Sequence, residues 1–257
     1  SEVFMTLIKS TGNKKVNLDF NKEFINTFSD KIQSNDIQFV NQTLKDLHES
    51  DVANLIENLS DETRTKLIEI EAFNIDPDIF IELNESIQSE VLQLLSTDSI
   101  INIIKRLESD DSIKILENLK KKKKLAVLDK LPPRDKFLLE EGLSYPEDSA
   151  ARIMQREFTA VPGNWSVGQT IDYLRENKDL PKEFLEIFIV DSDFRPVGTV
   201  PSSRVLRTSR ESKMNSIMSE MPVLIPVNMD KEEVGHTFEN YSLVSAGVIN
   251  KDNKLVG

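Results

Sequence analysis

The sequence predicts a multidomain protein, an all-α superhelical solenoid of short helices followed by a pair of α/β modules of which the second is truncated. Three observations predict it. Through the first 148 residues apolar positions recur at helical period and are broken at short intervals by Ser, Asn, Thr or Asp. From about residue 149 the period changes to strand-like runs alternating with helices. Those runs then start again after roughly sixty residues.

In chain order, the polar start Ser10-Thr11-Gly12-Asn13 gives way from about Lys15 to helix-period sequence. Ser50, Ser60, Asn84, Thr97 and Ser109 each stand before a new apolar run, such as Val52/Leu55/Ile56/Leu59 or Ile113/Leu116/Leu119, as N-caps should. Asp76-Pro77 marks another start, with Pro at the first helical position. Caps at 60, 84 and 109 recur at spacings of 24 and 25 residues, which predicts a helix-pair repeat. Helices this short cannot bury a face alone and must stack. Asp61-Glu62, Asp98 and Asp110-Asp111 fall in first turns, where carboxylates meet free N–H groups and the positive end of the helix dipole. The one basic block, Lys120–Lys124, follows a helix end expected at Leu119 and reads as a solvated terminus.

The stretch Tyr145-Pro-Glu-Asp-Ser-Ala-Ala-Arg-Ile-Met154 joins the two patterns. Beyond it, Trp165–Leu174 is an amphipathic helix, Phe184–Val190 a strand, Asp191–Pro196 a turn and Val197–Val200 a second strand. The order returns: Ile153-Met154 is matched by Ile217-Met218, Val161-Pro162 by Ile225-Pro226, Val167 and Ile171 by Val234 and Phe238, and Val197-Gly198 by Val256-Gly257. Expected boundaries are 1–144 for the helical domain, 145–212 for the first module and 213–257 for an incomplete second one, with a motif matching 199–212 expected after Gly257.

Composition narrows the function. The 257 residues carry a formal charge of −12, and residues 1–148 hold 19 Lys and Arg against 29 Asp and Glu, a balance of −10. That field repels nucleic acid and suits a cation. No run reaches the roughly 18–20 apolar residues of a membrane span; Phe184–Val190 is interrupted by Glu186. There is no cysteine, so disulfides and thiolate metal sites are excluded. His48 and His236 are far apart and unaccompanied, and no phosphate loop or nucleophile elbow is present, so no enzyme is expected.

A roughly sixty-residue β-α-β-β-α module in tandem, opened by Ile-Met and closed by a hydrophobic-Gly pair, resembles the cystathionine-β-synthase (CBS) domain pair. In CBS modules the adenosine ribose is met by Gly-x-x-Ser/Thr-x-x-Asp after the hairpin glycine. Here Pro201 and Arg204 stand at those two positions after Gly198. An acidic helical domain joined to CBS modules through Glu147-Asp148-Ser149-Ala150-Ala151-Arg152-Ile153-Met154 is similar to the MgtE family of magnesium transporters, departing from the family pattern at Ala151 and Ile153. Phe158-Thr-Ala-Val161 and the Trp165–Arg175 helix match as well.

The resemblance implies the cytosolic Mg²⁺-sensing region of a magnesium channel of the cell membrane, on its cytoplasmic side. Its partners would be its own transmembrane pore, absent from this chain, and a second copy joined through the CBS domains. Mg²⁺ bridging the acidic surfaces of the helical and CBS domains would favour the closed state, because a hard divalent ion relieves repulsion between carboxylates. Carried onto this chain, the ligand positions are Asp78, Asp110, Asp230, Glu232 and Glu239, with Lys114 and Ser242 where the family has further acids. The alternative is a nucleotide-sensing CBS adaptor that regulates a soluble partner.

Overall fold

The computed structural model describes residues 20–70, 76–181, 183–220 and 223–257. The expected polar start at Ser10–Asn13 lies outside them. Two compact units result. One runs to Leu107 and resumes at Glu117–Lys130; the other comprises Glu108–Leu116 and Leu131–Gly257.

The first unit is built from short helices: α1 (Lys22–Gln33), α2 (Ile37–Lys45), α3 (Glu49–Asn58), α4 (Asp61–Glu69), α5 (Pro77–Glu82), α6 (Glu85–Leu94), α7 (Thr97–Ile104) and, after α8 (Ser109–Glu117), α9 (Lys121–Lys130). Packing runs to the next-but-one helix, α3 on α5, α4 on α6 and α7 on α9, as a stacked helix-pair repeat requires. Val52, Leu55, Ile56, Leu67, Phe80, Val91, Leu92 and Ile100 are fully or almost fully buried between them.

The sequence-expected caps hold at Ser60, Asp76 and Asn84, whose side chains accept from Thr63, Asp78 and Ile87 N–H. Two starts shift. His48, through Nδ1, caps α3 in place of Ser50, and Ser96 caps α7 in place of Thr97. Rather than ending a helix, the lysine block opens α9, against the dipole. Lys123 explains how that is tolerated: its Nζ donates to the carbonyls of Leu92, Gln93 and Leu95 at 2.9, 2.8 and 2.5 Å, closing the carboxyl end of α6.

Arg64 is the polar centre of this unit. Only 2% exposed, it gives Nη1 to the Ile56 and Leu59 carbonyls, Nη2 to Asp61, and Nε with Nη2 to both oxygens of Glu90. Every donor direction is used, so a buried guanidinium becomes a clamp between α3, α4 and α6.

In the second unit, α10 (Pro133–Ser144) and the short α11 (Ala150–Ile153) lead to a three-stranded sheet. β1 (Ala160–Pro162) pairs parallel with β2 (Glu186–Val190), which pairs antiparallel with β3 (Pro196–Pro201). Between them lies α12 (Val167–Glu176), started by a Ser166/Gln169 capping box. After α13 (Ser202–Arg207) and α14 (Met214–Ile217) the pattern repeats. β4 (Ile225–Pro226) runs parallel to β5 (Val248–Ile249) across α15 (Lys231–Tyr241), and an antiparallel bridge joins Ile249 to Leu255.

The openings of the two copies are exchanged. Met214, Ile217 and Met218 pack with Val161, Ile187, Ile189 and Val200 of the first copy, whereas Ala150, Ala151 and Met154 pack with Ile225 and Val248 of the second. Each closing glycine meets the other copy's methionine. A Cβ on Gly198 would lie 2.7 Å from Ser219 O and 2.9 Å from Met218 Sδ, and one on Gly257 2.7 Å from Met154 Sδ. The repeated Ile-Met and hydrophobic-Gly signatures are therefore two halves of one contact, made twice.

Two outcomes test this account. Gly198→Ala should cost about 1–3 kcal/mol in urea unfolding, because Ser219 O is backbone and cannot yield cheaply. Arg64→Ala should cost about 3–5 kcal/mol and shift the urea midpoint, since it strips Glu90 and the Leu59 carbonyl of their guanidinium partner.

Candidate functional site: a carboxylate cluster at the start of α8

α8 begins at Ser109 with acids in its first turn, Asp110 and Asp111. Ser109 is 5% exposed, and its N–H and Oγ–H both point at Glu157 Oε2, 3.2 and 2.8 Å away. Its Oγ in turn accepts the Arg156 N–H at 3.0 Å. Ser109 is thus the first residue of α8 and not its expected N-cap, and a carboxylate 48 residues further on accepts its N–H. Glu157 comes from the strap 155–159 between α11 and β1, which is anchored at its far end by the Phe188 N–H donating to the Thr159 carbonyl at 2.8 Å.

Within this unit the strap gathers like charges. Gln155 Nε2 donates to Glu108 Oε2. Burial, and then the negative charges of Asp110, Glu157 and Asp111, push the Glu108 carboxyl above its ordinary value. Burial is also the main cause raising Asp110, whose Oδ1 is buried without a hydrogen-bond partner. Arg156 brings one positive charge, but its hydrogen bonds go to the carbonyls of Ala151 and Met154, at 2.9 and 3.4 Å. Three carboxylates therefore share a partly desolvated corner with one diverted cation. Their oxygens are hard donors, which suits Mg²⁺ or Ca²⁺ rather than softer metals. Among the described residues no three acids converge closely enough to coordinate a metal directly. The arrangement fits an ion that keeps several waters, as Mg²⁺ does.

Of the sequence-expected ligands, Asp110 alone belongs to this cluster. Asp78 is exposed in the first turn of α5, in the other unit. Asp230 and Glu232 come together at the start of α15, Asp230 as the cap that accepts the Glu232 N–H at 2.8 Å. Glu239 is exposed two turns on, and its carbonyl closes the helix by accepting Ser242 N–H. The junction docks onto this helix start: Ala150 N–H donates to Met229 O at 2.7 Å, Lys231 N–H to Asp148 O at 2.7 Å, and Lys231 Nζ pairs with Asp148 at 2.5 Å. Sequence reading missed Glu108 and Glu157. Glu157 is the lone acid between Asp148 and Asp172, but nothing in its spacing ties it to Ser109.

Arg204, standing where the ribose-binding acid of a CBS motif is expected, donates Nη1 to Ile217 O at 2.7 Å and to Ser219 Oγ at 3.0 Å. It serves the contact between copies. No described helix is long and apolar enough to cross a membrane.

Fold and site define a helical acidic domain followed in the chain by a CBS-type α/β module. Residues 47–148 match the family model of the MgtE intracellular N domain, and 150–211 that of the CBS domain. The magnesium transporter MgtE of Enterococcus faecalis is 24% identical over 119 residues, 46% of this chain and 26% of the relative; that of Bacillus subtilis is 23% identical over 115 residues, 45% and 26%. The chain thus spans about a quarter of the length of these curated relatives. Among solved structures, the cytosolic domain of the Mg²⁺ channel MgtE in complex with ATP superposes with TM-score 0.81 at 22% identity, covering 91% of this chain and 95% of that one. The soluble part of a magnesium transporter follows at 0.76 and 19%, covering 92% and 93%. The two family models thus match adjoining stretches of the chain, and its fold is that of the MgtE cytosolic domain structure. Both curated relatives are magnesium transporters.

The raised carboxyls set a pH signature. A carboxyl lifted on folding costs nothing while protonated, and its cost grows as pH rises from the ordinary value through the folded one. Asp110→Asn should therefore raise the thermal midpoint at pH 7, with the gain over the parent shrinking as pH falls toward about 4. Melting curves at several pH values check both the sign and the trend.

Proposed function

We propose that this chain is the cytosolic Mg²⁺-sensing regulatory region of a magnesium channel, in which Mg²⁺ bridging acidic surfaces of the helical and CBS domains favours the closed state. The observation that carries the reading is Asp110, with a buried and unpartnered carboxylate oxygen beside Glu108 and Glu157. These three would hold a hydrated ion at the start of α8. Asp78, on the helical unit, and Asp230, Glu232 and Glu239, on α15, are the further proposed ligands.

Bound Mg²⁺ supplies charge neutralisation. Without it Glu108, Asp110 and Glu157 repel, and with it the compact arrangement is favoured by differential binding. The chain itself catalyses nothing in this reading. It acts on a transmembrane pore in the cell membrane from the cytoplasmic side, and as a homodimer through its CBS region. Leu206 on α13, 77% exposed, supplies an apolar contact for such a dimer.

The test is a Mg²⁺ titration at constant ionic strength, read by thermal melting, small-angle scattering and limited trypsin digestion. At about ten times the dissociation constant the ion should stabilise the parent by ~1.4 kcal/mol, a few degrees in midpoint. The radius should fall, and cleavage at Lys105, Arg106 and Lys130, beside the passages of the chain from one unit to the other, should slow. Asp110→Asn should remove most of the response. A parent whose midpoint, radius and cleavage all ignore roughly 20 mM Mg²⁺ would sink the proposal.

A further inference from the structure

Neither the caps nor the acidic cluster accounts for the lysine block. Lys120–Lys124 is the one run of five like charges in the chain, and it stands in a first half that holds 19 Lys and Arg against 29 Asp and Glu. A helix end would favour such a block, but the start of α9 opposes it, because the positive end of the dipole lies there. Lys123 is turned under and used on the carbonyls that close α6. Lys120, Lys121 and Lys122 stay exposed, and among the described residues none of their side chains is hydrogen-bonded or ion-paired.

An apolar side chain lies among these charges. Leu125 is one turn from both Lys121 and Lys122, on the same face, and is 53% exposed, whereas Val127 and Leu128 face inward and are buried. Ala126 beside it is exposed as well. The one acid of the helix, Asp129, comes only at its far end, next to Lys130, which Asp98 already pairs at 2.8 Å. That combination selects among anionic partners. A soluble polyanion would meet the ammonium groups and leave Leu125 in water. The headgroup layer of a bilayer takes both, with ammonium groups among phosphates and the leucine at the acyl boundary. The charge of the whole chain, −12, repels an anionic surface, so contact is confined to this face.

We propose that the start and outward face of α9 dock on an anionic lipid bilayer through Lys120, Lys121, Lys122 and Leu125. This rests on the reading above of a region that works on the cytoplasmic side of a membrane pore, where the leaflet is anionic. Headgroup phosphates at this face also relieve the repulsion between the lysines and the positive end of the helix.

Co-sedimentation of the chain with vesicles of about 30% phosphatidylserine in phosphatidylcholine, at about 100 mM salt with EDTA present, tests it. The chain should pellet with these vesicles and not with pure phosphatidylcholine. The double variant Lys121→Gln, Lys122→Gln should partition roughly twentyfold less, about fivefold per lysine, yet melt slightly higher, a combination that damage to the fold would not give. Leu125→Ser should weaken binding several-fold without changing its salt dependence, and Lys251→Gln, exposed in a distant turn, should leave it unchanged. Asp110→Asn should pellet like the parent, and the double lysine variant should keep the parent's Mg²⁺ response, so vesicle binding and the Mg²⁺ reading stand or fall separately. Equal pelleting with and without phosphatidylserine, or full binding by the double variant, would overturn the proposal. So would polyglutamate binding as tight as vesicle binding and indifferent to Leu125→Ser, which would assign the face to an acidic protein.

Discussion

The hold of Glu157 on Ser109 is the contact on which the second unit turns. A carboxylate 48 residues away accepts from the first N–H of α8 and from the Ser109 hydroxyl, which ties that helix start to the strap 155–159. From that one attachment follow the position of Glu108 under Gln155, the burial of Asp110 Oδ1, and the delivery of Phe158 and Thr159 to the face of β2. A helix that reads as part of the acidic array is thereby built into the CBS-bearing unit.

The acidic excess has two physical origins. Most first-turn acids, such as Asp61, Glu62 and Asp98, sit where the helix dipole favours them. Asp110 and Glu108 differ, because burial and mutual repulsion outweigh that help and lift both carboxyls. Carboxyls lifted by burial and like charge are a pattern associated with ligand sites. The buried Arg64 shows the opposite solution to a buried charge: all of its donors are matched.

The tandem modules are held together by reciprocity. Met154 and Met218 each pack with the other copy's core and lie against the other's closing glycine, Ile217 joining Met218 while Ile153 stays exposed. Arg204 adds to the same seam by gripping the Ile217 carbonyl. Where the resemblance to CBS modules implies an acid, Arg204 instead ties the two copies together.

By itself the sequence determined the alternation of capped short helices, the change of period near 149, the tandem modules and their family. Those features are written within a turn or a strand and so survive as local pattern: Ser60, Asn84 and Asp76-Pro77 cap where they should, and the Phe184–Val190 run contains β2. Tertiary structure alone decided that α8 leaves the helical array, that Arg64 is buried on Glu90, and that Glu108, Asp110 and Glu157 share a corner while Asp78, Asp230, Glu232 and Glu239 stay outside it. The reason is range. A cap or an amphipathic stripe is set by residues three or four apart, whereas Arg64 with Glu90 and Ser109 with Glu157 are 26 and 48 apart, and which distant side chains meet depends on how whole elements pack.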